Sequence, residues 1–294
     1  MKIVITGITG LIGSALADVL RAAGHEVVGV SRRSGDGLVQ WDLEERRIDR
    51  DALEGVDAIV HLAGETIGGR WTKEKKRRIL ESRTVSTSLL AETITQLDAP
   101  PKVFVSGSAM GFYGDTGTTV VDETAPRGEG FLADVVVAWE EAAAPVADTD
   151  VRLVFPRTGL VLDPSGGALK PLLMATKLFV GGPLGNGKQI WSWISLHDEV
   201  QALVHLIEHE LEGPVNLTAP NPVTQREMAK ELAKLLGRPS FMPAPKFAVT
   251  TILGEMGEEL IFTSSDVRPA ALQASGFEFA HEHVRDGLAA AIGR

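Results

Sequence analysis

The chain has 294 residues, of which 44% are hydrophobic, and its formal net charge is −10. An acidic balance of this size argues against a general affinity for nucleic acid. The absence of cysteine excludes disulfides, thiol nucleophiles and thiolate metal ligands. No apolar run approaches the roughly 18 residues that a membrane-spanning helix needs, and the seven histidines form no recognisable ligand set.

These exclusions leave an enzyme-sized protein with a small-molecule substrate, no metal, and no nucleic-acid or membrane partner. The first residues read as a strand and lack the apolar core and cleavage site of a secretory signal. We therefore expect a cytoplasmic location.

The first predicted strand runs straight into three glycines spaced three apart, Gly7, Gly10 and Gly13. This pattern between a strand and a helix is typical of a dinucleotide-binding turn. Gly7 permits the tight turn, Gly10 lets the backbone approach a pyrophosphate, and Gly13 lets the next helix, predicted over 14–23, pack closely on the sheet. Since the helix N-terminus attracts anions, the predicted phosphate contacts are Gly7, Thr9, Gly10, Leu11, Ile12 and Gly13.

The second predicted strand, 27–30, ends in Ser31, Arg32 and Arg33, at the place where an NAD-preferring site carries an acidic residue. A hydroxyl and two guanidiniums suit the 2′-phosphate of NADP(H) instead. The alternative is that both arginines are solvated loop charges. Asp42, at the end of the third strand, is predicted to accept a hydrogen bond from the adenine amino group.

Predicted strands and helices alternate through about residue 160, which indicates a doubly wound, parallel α/β sheet of the Rossmann type. The segments are a buried strand over 56–62, a long helix over 72–97, and strands over 102–106 and 150–155.

After residue 160 the pattern changes, and helices dominate from 225 to the end. We therefore predict a dinucleotide-binding domain formed by 1–160 and 188–219. A smaller C-terminal substrate lobe is predicted to comprise 161–187 and 220–294, and 214–217 is predicted to be a strand that returns to the main sheet.

Several motifs together resemble an extended short-chain dehydrogenase/reductase over the whole chain. The segments that carry the resemblance are 6–13, 62–64, 106–109 leading into 113–114, 157–159 and 193–198. Segments 185–189 and 253–256 are similar to the atypical branch called the epimerase family proteins, which is related to nucleotide-sugar epimerases and has a C-terminal domain of unknown function.

The resemblance implies a nicotinamide cofactor and an oxidoreductase or epimerase activity. At the carboxyl edge of the sheet, the further cofactor contacts that we expect are Leu62, Ala63, Gly64, Glu65, Arg83 and Arg157. Members of the parent family often form homodimers, and the resemblance leaves that assembly open here.

The parent family's chemistry uses a Ser or Thr, a Tyr, and a Lys four residues after the Tyr. The single tyrosine here is Tyr113, and the fourth residue after it is Gly117, so the chain contains no such pair. Ser108 matches the family serine. We therefore take Ser108 and Tyr113 as the catalytic candidates, with hydrogen bonding to backbone and packing as their structural alternatives, and Glu65 or Asp115 as other proton donors.

Tryptophans lie in or beside segments that are expected to face the cleft, where their rings could stack on a flat or sugar-like ligand; core packing is the alternative. The residues concerned are Trp71, Trp139, Trp191 and Trp193. Two functions fit the whole sequence. One is an NADP(H)-dependent oxidoreductase or epimerase with a non-standard proton donor, and the other is an inactive NADP(H)-binding regulatory module.

Overall fold

A mostly parallel sheet with helices on both faces forms the centre of the computed structural model, which describes residues 1–32, 35 and 37–294. The predicted Arg33 contact lies outside the described residues. The strands are β1 (Lys2–Thr6), β2 (Glu26–Ser31), β3 (Leu38–Asp42), β4 (Arg47–Ile48), β5 (Ala58–His61), β6 (Val103–Ser106), β7 (Ser108–Ala109), β8 (Val120–Val121), β9 (Arg152–Thr158), β10 (Leu160–Leu162), β11 (Ile190–Trp191), β12 (Trp193–Ser195), β13 (Gly213–Leu217), β14 (Val223–Thr224) and β15 (Asp266–Val267).

The α-helices connect these strands or follow them. They are α1 (Leu11–Ala22), α2 (Lys73–Ile94), α3 (Phe131–Glu141), α4 (Leu169–Lys177), α5 (Leu196–Glu208), α6 (Gln225–Leu236), α7 (Lys246–Leu253), α8 (Ala270–Ala274) and α9 (Val284–Ala291). A π-helical turn, Gly257–Phe262, lies between α7 and β15.

The main sheet has the strand order β13-β9-β6-β5-β1-β2-β3-β4, and all neighbours are parallel except β3 and β4. The chain therefore winds outward from β1 in one direction and, from β5 onward, in the other. Ligands of such sheets bind in the crevice at the carboxyl ends of the strands, where the winding reverses. The sheet confirms the predicted Rossmann-type fold.

Side chains alternate between the two faces along each strand because the strand period is two. In β1, Ile3 and Ile5 pack with α1 and α5, whereas Val4 packs in the core on the α2 side. The helix after the glycine turn begins at Leu11, three residues earlier than predicted. Its first backbone amides therefore lie directly at the turn.

Strand β9 continues to Thr158, past the predicted end at residue 155. Pro156, which has no amide hydrogen, lies at the interruption between β6 and β7. Few ladder hydrogen bonds are therefore lost on that side of β9. The predicted returning strand is present as β13, which pairs with β9.

The C-terminal helices α6 and α9 share a separate core with α4 and the tryptophans of β11 and β12. Trp193, which lies in the segment predicted to belong to the first domain, packs in this second core. Leu272 of α8 packs instead with the core of the main sheet. The predicted division into two domains stays a prediction, since the two segments exchange core side chains at their border.

Candidate functional site

The glycine turn after β1 has a geometry that side chains would disrupt. Gly7 has φ of +68°, and a Cβ there would lie 2.8 Å from the carbonyl of Leu62. A Cβ on Gly13 would lie 2.3 Å from the carbonyl oxygen of Gly7, whereas one on Gly10 would meet only that same oxygen, at 3.1 Å. Gly7 therefore serves the turn and Gly13 the close packing of the helix, while the predicted pyrophosphate contact of Gly10 stays a prediction.

The N-terminus of α1 faces the same edge. Gly10 is its N-cap residue, and no side chain caps this end of the helix. Thr9 and Gly10 are both exposed. Uncapped amides and the positive end of the helix dipole favour an anion at this position.

A buried polar network holds the turn against the end of β5. The Thr6 hydroxyl oxygen accepts hydrogen bonds from the amides of Leu62 (3.2 Å) and Ala63 (3.1 Å), and it lies 2.6 Å from Nδ1 of His61. Because those two amides use its lone pairs, we infer that the Thr6 hydroxyl donates to His61 Nδ1.

The same network extends from His61 into α2. His61 Nε2 lies 3.0 Å from the Ser86 hydroxyl, which donates to the Ser82 carbonyl at 2.7 Å. Burial, together with the charge of Arg83, lowers the pKa of His61 to about 3, so the ring is neutral. Sequence reasoning missed this residue, although its place beside the Leu-Ala-Gly segment was a usable signal.

At the end of the crevice predicted for adenine, Ser31 ends β2 and Arg32 is exposed beyond it. Arg32 is near enough for its charge to contribute to lowering the pKa of Glu65. Asp42 ends β3, and its Oδ1 accepts hydrogen bonds from the amides of Glu44 and Glu45, both at 3.0 Å. The carboxylate therefore shapes its own turn, and its predicted adenine contact stays a prediction.

Glu65 and Arg83 lie near each other beyond β5. Lys75 donates to Glu65 at 2.6 Å, and this hydrogen bond lowers the pKa of Glu65, which disfavours it as a general acid at neutral pH. Arg83 donates to the carbonyls of Glu65 (3.1 Å) and Ile79 (3.0 Å) and lies over the ring of Trp139. Burial lowers the pKa of Arg83 to about 10.

Arg157 is buried in an ion pair, and its predicted contact with the cofactor stays a prediction. Its guanidinium donates to both carboxylate oxygens of Glu140 at 2.9 Å and to the Tyr113 hydroxyl at 3.0 Å, and its face lies 3.4 Å from the Phe112 ring centroid. Burial alone would lower the pKa of Arg157, but Glu140 raises it. With 4% of its surface exposed, the side chain presents no charge to a ligand.

The two catalytic candidates belong to this same cluster. Ser108 donates to Glu140 Oε1 at 2.6 Å. Tyr113 donates to Asn216 Oδ1 at 2.7 Å, and burial raises its pKa despite the nearby Arg157 charge. A raised pKa and a hydroxyl engaged as both donor and acceptor favour the structural alternative for Tyr113. Ser108 keeps unused lone pairs and is 5% exposed.

Helix α3 occupies the segment where the parent family carries its Tyr and Lys. Its side chains Leu132 and Val136 approach Gly111, in the turn that follows Ser108. These two side chains are apolar, and the polar group that α3 brings to Ser108 is Glu140, one turn further along the helix.

A residue of the C-terminal segment caps the N-terminus of α3. Glu259 accepts hydrogen bonds from the amides of Phe131 and Leu132, one on each carboxylate oxygen and both at 2.9 Å. A carboxylate at this position also complements the helix dipole. No local sequence pattern predicts this cap, because the partners are 128 and 127 residues apart.

The tryptophans pack in the core, which is the alternative to stacking on a ligand. All of them are buried, and four direct their indole N–H at protein acceptors. The acceptors are the carbonyls of Ile67 for Trp71, Ile261 for Trp191 and Asn221 for Trp193, and the Thr87 hydroxyl for Trp139.

On the opposite face of the sheet, Thr158 donates to Glu199 Oε1 at 2.8 Å. Glu199 is fully buried, and its Oε2 has no hydrogen-bond partner among the described residues. Burial raises the pKa of Glu199 to about 8, so the carboxyl is mainly protonated at neutral pH.

A metal-binding cluster and a membrane-spanning helix are both absent from the part of the chain that the structure describes. No group of three or more His, Asp or Glu residues there is arranged to hold a metal ion. None of its helices is both long and apolar enough to cross a bilayer.

Comparison with family models matches residues 3–162 to the NAD dependent epimerase/dehydratase family, more than half of the chain. The chain belongs to that family. Residues 244–291 match a domain of unknown function, DUF1731. Both matches confirm the resemblance that the motifs indicated.

Named relatives extend over nearly the whole chain. An epimerase family protein of Mycobacterium leprae is 38% identical, with 99% of this chain and 96% of that protein covered. An Arabidopsis thaliana chloroplastic homologue of epimerase family protein SDR39U1 is 37% identical, with 99% and 86% covered. The crystal structure of human SDR39U1 with NADPH is 34% identical and superposes with a TM-score of 0.94, covering 100% of this chain and 99% of that one.

Proposed function

We propose that the protein binds NADP(H) along the carboxyl edge of the sheet and acts as an oxidoreductase or epimerase-like enzyme. The turn at Gly7, Gly10 and Gly13 carries the proposal, because Gly7 has a positive φ, Gly13 packs against the Gly7 carbonyl, and the exposed Gly10 lies at the N-terminus of α1 where a pyrophosphate would bind. Arg32, exposed at the end of β2, would hold the 2′-phosphate. The NADPH in the similar human structure supports this choice of cofactor.

A bound nicotinamide ring supplies or accepts a hydride. Ser108 already donates its hydroxyl hydrogen to Glu140, so its remaining lone pairs can accept a hydrogen bond from a substrate hydroxyl. We therefore assign Ser108 the orientation of an alcohol group, and not the donation of a proton to a carbonyl. The bidentate Arg157–Glu140 pair fixes this orientation.

The second candidate function is an NADP(H)-binding regulatory module without turnover. The absence of tyrosine and lysine from α3 favours it, because the family's proton donor has no counterpart there. Both candidates retain a cytoplasmic location, a small-molecule ligand and a C-terminal lobe that closes over the cofactor.

Coenzyme titration tests the proposal. We expect NADPH to bind more tightly than NADH, and Arg32→Ala to weaken NADPH about tenfold while leaving NADH unchanged, because one charge-assisted contact is lost. Arg21→Ala, which removes an exposed cation of α1, is the control. Equal affinity for both coenzymes in the native chain contradicts the proposed NADP(H) preference.

A screen that follows NADPH absorbance, with NADP⁺ and alcohols in one direction and NADPH and carbonyls in the other, separates the two candidates. Under the enzyme proposal, Ser108→Ala reduces turnover. NADPH binding with no turnover across carbonyl and sugar-like substrates selects the regulatory module.

A further inference from the structure

A groove on the outer side of the C-terminal lobe lies apart from the strand ends that form the cofactor site. It has a volume of about 650 Å³ and is bounded by α6, the loop before β11 and the loop before α7. Grooves of this size accommodate small organic ligands. No residue that we assign to the cofactor or to chemistry lines it.

The groove is strongly basic in a chain whose net charge is −10. Arg226, Lys230 and Lys234 are spaced four residues apart, so they form one stripe along α6, and Arg238 continues it beyond the helix end. No Asp or Glu is among the lining residues.

The two acidic residues of α6 both have partners, and one of those partners is a cation of the groove. Glu227 completes a capping box with Thr224, and Glu231 pairs with Lys234 and lies 3.8 Å from Arg285 of α9. Lys230 makes no ion pair or hydrogen bond with any described residue. At least one cation of the groove is therefore available to an incoming anion.

Apolar groups stand beside these cations. The Arg238 guanidinium lies 4.3 Å from the ring centroid of Phe179, which leaves its edge N–H groups for a ligand. Phe241 is 72% exposed, and Pro183 and Pro243 also line the groove. A large exposed ring next to cations suits a ligand that has an anionic and an apolar part.

We propose that this groove binds a small phosphorylated metabolite, with at least two phosphate charges on the α6 stripe and an apolar part against Phe241. Lysine and arginine side chains recognise phosphate through point charge and forked hydrogen bonds. The concave shape and size favour a small ligand over a bilayer surface. The site is separate from the cofactor crevice and would allow a second metabolite to bind at the same time as the coenzyme.

Inorganic pyrophosphate is the probe, titrated by calorimetry into protein saturated with NADPH so that the glycine turn is filled. We expect one further saturable site, weakened at least about tenfold in Lys230→Glu/Arg238→Glu and by added salt. Arg21→Glu, a single charge reversal on α1, is the control and keeps the site. Circular dichroism verifies that each variant is folded, and Lys230→Ala/Arg238→Ala provides a milder second variant.

Three results overturn the proposal. The first is the absence of saturable pyrophosphate binding at millimolar concentration. The second is pyrophosphate binding that both double variants leave unchanged. The third is co-sedimentation with phosphatidylserine vesicles that depends on Lys230 and Arg238 while pyrophosphate does not bind, which assigns the groove to membranes. A failure of NADPH to bind is measured separately and bears on the cofactor site alone.

Discussion

The glycine turn and the cluster around Ser108 lie at the same edge of the sheet, but they are built differently. The turn depends on backbone shape, with Gly7 at positive φ and Gly13 against a carbonyl. The cluster depends on side chains that already satisfy one another, since Glu140 accepts from both Ser108 and Arg157. A binding site can therefore keep its form while the neighbouring reaction centre changes its chemistry.

Removing the charge of Glu140 tests the side-chain half of this comparison and has the largest expected effect. Glu140→Gln leaves the buried Arg157 cation without its counter-charge, so we expect the free energy of unfolding to fall by about 3–5 kcal/mol. Denaturant unfolding measures the loss. Glu141→Gln, at the exposed neighbouring position, is the control, and equal stability of the two variants would show that the pair is not needed.

Gly13→Val tests the backbone half. Its Cβ would fall 2.3 Å from the Gly7 carbonyl oxygen, so the turn must open, and we expect NADPH affinity to drop about 100-fold or more. Fluorescence titration measures the affinity. Gly68→Ala is the matched control, because its Cβ meets only the Thr66 hydroxyl at 3.7 Å. Wild-type affinity in Gly13→Val would sink the proposed cofactor site.

Glu199 sharpens the comparison, because it is a buried acid without the counter-charge that Glu140 has. Its pKa is about 8 in the folded chain, above the ordinary 4.5. Between those values the folded state holds more protons than the unfolded state, so stability falls as pH rises, by up to about 1.4 kcal/mol per pH unit. Urea unfolding from pH 4 to 9 should show this slope in the native chain and lose it in Glu199→Gln. Glu208→Gln, on the exposed end of the same helix, should keep it.

Tyr113→Phe has the smallest expected effect. It removes a hydroxyl that donates to Asn216 and accepts from Arg157, which we expect to cost about 1–2 kcal/mol of stability. Turnover, where present, should be unchanged, because the geometry gives Tyr113 a structural role. A loss of kcat far beyond the loss of folded protein would restore it as the proton donor.

The fold and the glycine turn were predictable because both depend on patterns among residues that are close together in the sequence. Strands alternate with helices, and the three glycines fall within seven consecutive residues. The polar networks were not predictable, because their members are distant in the chain. Tyr113 and Asn216 are 103 residues apart, and Ser108 and Glu140 are 32 apart.

Two kinds of side chain that were candidates for ligand contact have partners inside the protein. Arg157 and the tryptophans have side chains that can serve a ligand or the interior, and motif position alone does not separate these uses. Arg157 donates to the buried carboxylate of Glu140, and the indole N–H groups donate to backbone carbonyls or to a hydroxyl. Only the tertiary partners decide such cases.

The carboxylate of Glu259 accepts hydrogen bonds from two amides at the start of α3. The C-terminal segment is therefore part of the structure that supports this helix of the N-terminal segment. A chimaera that grafts the C-terminal segment from another protein must bring an acidic group to the same point, or the helix beside the reaction centre begins to fray. The start of α3, in one region that the family models recognise, therefore depends on a residue of the other region.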